Sequence, residues 1–171
     1  KLPTVAIIGQ ANVGKSSLFN RLTRSRTAIV AREAGTTRDN VVGKVSYKRR
    51  NVDSAPSDDY SQFWLIDTAG LKTAEDEFEA TIQDQIADAS TAADVILVTV
   101  DSTAYPSDAD RQLAKKALKS GKPVILIANK ADLKGSLSID EFKRLGIKNI
   151  IKTSAEHSIG ISELLDSIAE L

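Results

Sequence analysis

Residues 9–16, with the sequence G-Q-A-N-V-G-K-S, match the G-x-x-x-x-G-K-[ST] pattern that binds phosphate groups. Gly9 and Gly14 allow a tight turn in which backbone N–H groups point inward and form an anion-binding nest. Lys15 is expected to reach the β and γ phosphates of a nucleotide, and Ser16 offers a hydroxyl ligand to Mg²⁺. This loop therefore predicts a nucleotide-phosphate site, but it does not indicate which base is bound.

A second motif, N-K-A-D at residues 129–132, follows the apolar run 124–128 directly. Its polar groups are expected on the loop after a strand, where open α/β sheets bind ligands. The Asp132 carboxylate can accept both donors on one edge of guanine, the ring N1–H and the exocyclic amine, and adenine lacks that pair. Asn129 would bond the base and connect loops, and the stem of Lys130 would lie over the ring. The motif therefore predicts a guanine nucleotide.

Two further segments complete the predicted phosphate end of the site. Asp67 follows the apolar run 63–66 and is expected to support Mg²⁺ from the end of its strand. Gly70 allows a backbone N–H to approach the γ-phosphate. Either Thr36 or Thr37 could bind Mg²⁺ through its hydroxyl when the γ-phosphate is present, and we prefer Thr37.

A short segment near the C-terminus, Ser154-Ala155-Glu156, follows the strand-like residues 150–152. It is expected on the guanine side of the site, where the backbone N–H of Ala155 would bond O6 of the base. His157 lies in the same loop and is expected to have a structural or surface role.

Alternating strand and helix patterns must position these motifs. Strands are predicted at residues 4–8, 41–48, 63–66, 95–100, 124–128 and 150–152. Helices are predicted at 17–22, 82–92, 107–120 and 138–146, and from Ile161 to Ile168. This order predicts the α/β class and a P-loop NTPase fold, with a mostly parallel central sheet, helices on both faces and residues 41–48 as one antiparallel edge strand.

Helix boundaries follow from capping signals. Ser107 with Asp110, and Ser138 with Glu141, match the capping-box start of two helices. Gly121 and Gly146 stand where those helices are expected to end.

Length and composition predict a single α/β domain over residues 1–171. The formal net charge is +0, so the balance of charges gives no general attraction to nucleic acid or to an anionic membrane. The longest apolar runs have the length of strands, so no membrane span is expected. The chain has no cysteine, which excludes disulfides and thiolate metal sites. The polar stretch 49–61 is expected to be a flexible insertion between two strands.

The order of the motifs and their residues resemble those of the Era/EngA/TrmE group of P-loop GTPases. Members of this group share P-x-N-[VA]-G-K-S, G-x-T-R-D, D-T-[AG]-G, N-K-x-D and S-A. Within that group the chain is most similar to the first GTPase domain of the EngA family, also called Der, of ribosome-assembly GTPases. The similarity is carried by residues 12–23, 28–30, 120–124 and 154–161. It covers almost the whole chain apart from the insertion.

The resemblance implies a cytoplasmic enzyme that binds GTP or GDP with Mg²⁺ and hydrolyses GTP to GDP and phosphate. It implies contact with the ribosomal large subunit or its assembly intermediates. It also implies a K⁺ ion beside the phosphates, with Asn12 as one ligand. EngA proteins continue into a second GTPase domain and a small RNA-binding-like domain, so the chain is expected to be a fragment whose partners include those domains. No direct nucleic-acid site is evident in this part.

The predicted site residues fall into three groups. Those expected to bind the nucleotide are Gly9, Asn12, Val13, Gly14, Lys15, Ser16, Ser17, Asp67, Gly70, Asn129, Lys130, Asp132, Ser154, Ala155 and Glu156. Those expected to act in catalysis are Asn12, Lys15, Thr37 and Gly70. The metal ligands are Ser16, Thr37 and Asp67 for Mg²⁺ and Asn12 for K⁺.

Two alternatives stay open on sequence grounds. Leu71 stands where small signalling GTPases carry a glutamine that orients the attacking water, and leucine cannot hydrogen-bond. The chain could therefore be a GTP/GDP-binding docking module with negligible hydrolysis. It could also be the GTPase domain of a tRNA-modifying, TrmE-like protein of the same group.

Overall fold

The computed structural model describes residues 2–10, 13–23, 29–32, 39–48, 60–67, 86–87, 89 and 91–171. The strands are β1 (Thr4–Gly9), β2 (Ile29–Arg32), β3 (Asp39–Lys48), β4 (Tyr60–Asp67), β5 (Val95–Asp101), β6 (Val124–Asn129) and β7 (Ile150–Lys152). Within the described residues they form one seven-stranded sheet in the order β2-β3-β4-β1-β5-β6-β7. All six predicted strands are confirmed.

The sheet is parallel from β4 through β1, β5 and β6 to β7. Strand β3 runs antiparallel to both of its neighbours, β4 and β2. The predicted antiparallel strand is thus confirmed, and it lies one position in from the edge because the short strand β2 pairs along its outer side. The sequence patterns did not predict β2.

Helices cover both faces of this sheet, as predicted. The helical elements are α1 (Lys15–Thr23), α2 (Asp108–Lys119), a 3₁₀ helix (Ile139–Leu145) and α3 (Ile161–Ala169). On one face, α1 and α3 pack over alternate strand residues such as Ile7, Leu97 and Ile127. On the other face, α2 and the 3₁₀ helix pack over Ile8 and Val98. Because both faces are buried, the central strands are apolar at nearly every position.

The start of α2 shows the predicted capping box. The backbone N–H of Asp110 donates to Ser107 Oγ at 3.1 Å, and the backbone N–H of Ser107 donates to Asp110 Oδ2 at 3.0 Å. These two bonds satisfy backbone donors that the first turn of a helix leaves unpaired.

The second predicted box differs from expectation. Ser138 Oγ accepts from the backbone N–H of Asp140 at 3.3 Å, and the following residues form a 3₁₀ helix. The backbone N–H of Glu141 donates instead to the carbonyl oxygen of Ser138 at 3.1 Å, the three-residue spacing of a 3₁₀ turn. Gly146, at a φ of +82°, ends the segment as predicted.

Two sequence predictions fall partly outside the described residues. In the predicted helix 82–92, the described residues 86, 87, 89, 91 and 92 are helical. Of the predicted insertion 49–61, residues 49–59 are not described. Tyr60 and Ser61 belong to β4 and pair with Lys48 and Tyr47, so their assignment to a loop was wrong. Among the described residues, no helix has the length and apolar character needed to cross a membrane.

Candidate nucleotide-binding site

The motif residues meet at one edge of the sheet. The register pairs Gly9 with Thr99, and Asp101 with Asn129, at the carboxyl ends of parallel strands. Asp67 ends β4, which lies on the other side of β1. Because parallel strands end at the same edge, these residues lie at the crevice outside the carboxyl ends of the strands, which is the usual ligand position in open α/β sheets.

The phosphate loop requires glycine at both fixed positions. A Cβ atom on Gly9 would lie 2.6 Å from the carbonyl oxygen of Thr99. Gly14 has a φ of +92°, which side chains disfavour, and a Cβ there would overlap the side-chain amide of Asn129. The loop therefore lies directly against β5 and against the N-K-A-D segment.

Lys15 begins α1 immediately after this loop. Its side chain is buried, and Nζ donates to the carbonyl oxygen of Gly9 at 2.7 Å. The ammonium group is thereby held across the loop, close to the backbone that would surround a phosphate. Ser16 and Ser17 follow in the first turn and are exposed, whereas Val13 is buried.

Asn129 connects three segments of the site. Its side chain is 2% exposed, and Nδ2 donates to the carbonyl oxygen of Val13 at 3.0 Å. Its Oδ1 accepts from Thr153 Oγ1 at 2.9 Å. A third bond, from the backbone N–H of Ala131 to the carbonyl oxygen of Thr153 at 2.9 Å, reinforces the connection. The phosphate loop, the N-K-A-D loop and the loop after β7 therefore form one hydrogen-bonded unit.

Lys130 adopts a left-handed backbone conformation, with a φ of +64°. Its ammonium lies 3.2 Å from Asp101 Oδ2. Asp101 Oδ1 accepts from the backbone N–H of Thr103 at 2.8 Å and from its hydroxyl at 2.6 Å. Burial raises the pKa of Asp101, but the Thr103 hydrogen bonds and the Lys130 ammonium outweigh it, so the pKa is below its ordinary value. Asp101 thus remains ionised and restrains the Lys130 stem.

The Asp132 carboxylate lies in the N-K-A-D loop, where the base of a nucleotide is predicted to bind. His157 Nε2 lies 3.2 Å from Asp132 Oδ2. Ser154 is buried, and its Oγ accepts from the backbone N–H of His157 at 3.2 Å. Ala155 is also buried, while Glu156 is exposed. Asp132 and the Ser154–Glu156 segment therefore lie in neighbouring loops, as base recognition by both would require.

Asp67 is 3% exposed at the end of β4. A buried carboxylate at this position, together with the hydroxyl of Ser16 on α1, supplies hard oxygen donors of the kind that Mg²⁺ prefers. The donor set therefore fits the predicted cation. The remaining predicted residues, Asn12, Thr37 and Gly70, lie outside the described residues, as do Thr36 and Leu71.

Sequence reasoning missed two residues that support the site. Arg21 donates from α1 to the loop after β7, a contact between segments 134 residues apart that no local pattern signals. Asp101, which ends β5, was not predicted as a residue of the site. This position could have been predicted. A carboxylate at the end of β5, the strand beside β6, must lie next to the N-K-A-D loop that follows β6.

Comparison with known proteins supports the guanine-nucleotide site that the motifs predict. A sequence profile of the family described as 50S ribosome-binding GTPase matches residues 4–130. GTPase Der of Porphyromonas gingivalis is 41% identical over 169 residues, which cover 98% of this chain and 36% of that protein. The chain thus spans about a third of the length of the curated relatives it matches.

Solved structures with the same fold include chains of two other proteins. The G domain of the T. maritima FeoB iron transporter superposes with a TM-score of 0.70 at 27% identity, covering 99% of this chain and 98% of that one. A single-residue variant of Aquifex aeolicus Era bound to GDP and AlF4⁻ gives a TM-score of 0.72 at 28% identity, covering 99% of this chain and 56% of that one.

Proposed function

From the premise that this chain belongs to the family of 50S ribosome-binding GTPases, we propose that it binds guanine nucleotides and hydrolyses GTP as the GTPase domain of a ribosome-assembly factor. The observation that carries the proposal is the position of Asn129, which joins the phosphate loop to the loop that would contact the base. The similarity to GTPase Der favours this function over a tRNA-modifying protein.

The phosphate end of the proposed site depends on Lys15. In the structure its ammonium donates to the carbonyl oxygen of Gly9. When a nucleotide is bound, the same group would donate to oxygens of the β and γ phosphates and stabilise the charge that develops during transfer. Ser16 and Asp67 would hold Mg²⁺, which neutralises phosphate charge when it is bound.

The base end depends on Asp132. Its two carboxylate oxygens would accept from the N1–H and the amine of guanine, while the backbone N–H of Ala155 would donate to O6. Adenine offers no matching pair of donors and would leave the carboxylate unpaired, which costs affinity. The Lys130 stem, restrained by Asp101, would lie over the face of the ring.

The γ-phosphate would be attacked in line by water. Because Leu71 cannot orient that water, we propose that a K⁺ ion with Asn12 as a ligand supports the reaction, together with Thr37 and the backbone of Gly70. Contact with the large ribosomal subunit or its assembly intermediates, further domains of the same protein and a cytoplasmic location are proposed from the similarity to GTPase Der alone.

Single-turnover hydrolysis of GTP, measured with Mg²⁺ in KCl and in NaCl, tests this proposal. We expect product formation in KCl, slower formation in NaCl, and loss of activity in Lys15→Ala in both salts. No turnover by the wild-type domain in either salt would contradict hydrolysis by this domain and favour a docking module. Equal rates in the two salts would contradict the K⁺ hypothesis only.

A further inference from the structure

Arg21, on the exposed side of α1, makes two hydrogen bonds to the loop after β7. Its Nε donates to the carbonyl oxygen of Ala155 at 2.6 Å, and its Nη2 donates to that of Glu156 at 3.0 Å. The two acceptors belong to consecutive residues, and the planar guanidinium reaches both with donors on one edge. The loop is thereby fastened to the helix that begins at Lys15.

The same loop is closed by hydrogen bonds of its own. The carbonyl oxygen of Ser154 accepts from the backbone N–H of Ile159 at 3.1 Å, and the N–H of Ser154 donates to the carbonyl oxygen of Ile159 at 2.9 Å. A trans peptide is planar, so the N–H of Ala155 points away from the Ser154 carbonyl and from Ile159. Within the described part of the chain, no group accepts from this N–H.

We propose that Arg21 is a positioning residue for guanine recognition, which holds the Ala155 N–H at a fixed place relative to the phosphate loop. The inference rests on the proposed function, in which this N–H donates to O6 of the base. Arg21 follows Lys15 by six positions on α1, a rise of about 9 Å. Arg21 therefore sets the spacing between groups that contact the two ends of one nucleotide.

Loss of Arg21 should weaken one neutral hydrogen bond to the base, which corresponds to about a five- to tenfold loss of affinity. The loss should depend on the base. GDP and inosine diphosphate both carry O6, whereas 2-aminopurine riboside 5′-diphosphate lacks it. If Arg21 only stabilised the fold, its loss would lower the affinity for all three nucleotides equally.

The experiment measures the Kd of these three nucleotides for the wild-type domain and for Arg21→Ala, Arg21→Lys and Arg111→Ala. Arg111 is a matched control, because it pairs on α2 with Asp108 and has a side chain that is 54% exposed. We expect Arg21→Ala to raise the Kd of GDP and inosine diphosphate about five- to tenfold, and that of the 2-aminopurine nucleotide less than about twofold. Arg21→Lys should fall between wild type and Arg21→Ala, because an ammonium can satisfy one carbonyl well. Arg111→Ala should change nothing.

An equal loss for all three nucleotides, or no loss for GDP, would overturn the inference. If Arg21→Ala does not fold, the ¹H–¹⁵N signal of Ala155 in Arg21→Lys decides. We expect GDP to shift this signal downfield in the wild type and less in the variant, and equal shifts would contradict the proposal. Failure of the wild-type domain to bind GDP would instead contradict the proposed function itself.

Discussion

The side-chain amide of Asn129 donates to the carbonyl oxygen of Val13 at 3.0 Å, across 116 residues of sequence. A residue of the base-recognition motif thus supports the phosphate loop directly. Since Asn129 is buried and also accepts from Thr153, its position is fixed by contacts within the protein. The site is therefore preorganised at the junction of its two halves.

We expect Asn129→Ala to lower the free energy of unfolding by about 2–4 kcal/mol, because it leaves two buried partners unpaired. It should also weaken GDP binding more than about tenfold. Thr153→Val removes one of the two bonds and should cost about 1 kcal/mol, with a smaller effect on GDP. Urea unfolding and GDP titration measure both quantities. Equal effects of the two variants would contradict the central role given to Asn129.

Base preference should follow the chemistry of residue 132. Asp132→Asn replaces one carboxylate oxygen, an acceptor, by an amide NH₂ group, which can donate to the 2-oxo group of xanthine. We expect the affinity for GDP to fall by at least about 100-fold and the affinity for xanthosine diphosphate to rise. Asp140→Asn is the control, because Asp140 is exposed and pairs with Lys143 outside the site. If Asp132→Asn weakened GDP and xanthosine diphosphate alike, Asp132 would not be the residue that reads the base.

Gly14 and Gly135 have similar φ angles, so substituting each of them distinguishes the effect of backbone strain from that of steric conflict. Gly14→Ala places a Cβ against the Asn129 amide, whereas Gly135, at a φ of +99°, has nothing within 4 Å. Both substitutions carry a backbone penalty of about 1–2 kcal/mol. Only Gly14→Ala should abolish detectable GDP binding. Titration of the two variants measures this, and retained binding by Gly14→Ala would show that the loop has another arrangement available.

The ion pair between Asp101 and Lys130 predicts a pH dependence. Because the pKa of folded Asp101 is lowered, its contribution to stability is fully present above the unfolded pKa of about 4 and is lost as pH falls through the folded value. We expect Asp101→Asn to be less stable than wild type near neutral pH, with the difference shrinking below about pH 4. It should also weaken GDP binding by releasing Lys130. Unfolding curves across this range would contradict the account if the difference stayed constant or grew.

Much of the fold could be predicted from sequence, because each central strand is a continuous apolar run and each phosphate-loop residue type has a physical role. Local signals failed where a distant partner decides the structure. Strand β2 has only four residues and exists through its pairing with β3. The segment after Ser138 has the sequence signals of an α-helix, yet its backbone hydrogen bonds join residues three apart and form a 3₁₀ helix.

The site shows the same division. The proposed roles of Lys15 and Asp132 follow from motif chemistry, but the contacts of Arg21 and Asp101 depend on how loops meet in space. The bond from Lys15 to Gly9 was also not predicted, because the motif describes the lysine with phosphate present.

If the crevice around Asn129 is a guanine-nucleotide site, the protein must bind GDP and discriminate against ADP. Calorimetric titration of the wild-type domain with GDP and with ADP, both with Mg²⁺, tests it most directly. We predict saturable one-to-one binding of GDP and at least about 1,000-fold weaker binding of ADP, because adenine leaves Asp132 unpaired. Equal affinity for the two nucleotides, or no binding of GDP, would contradict the account.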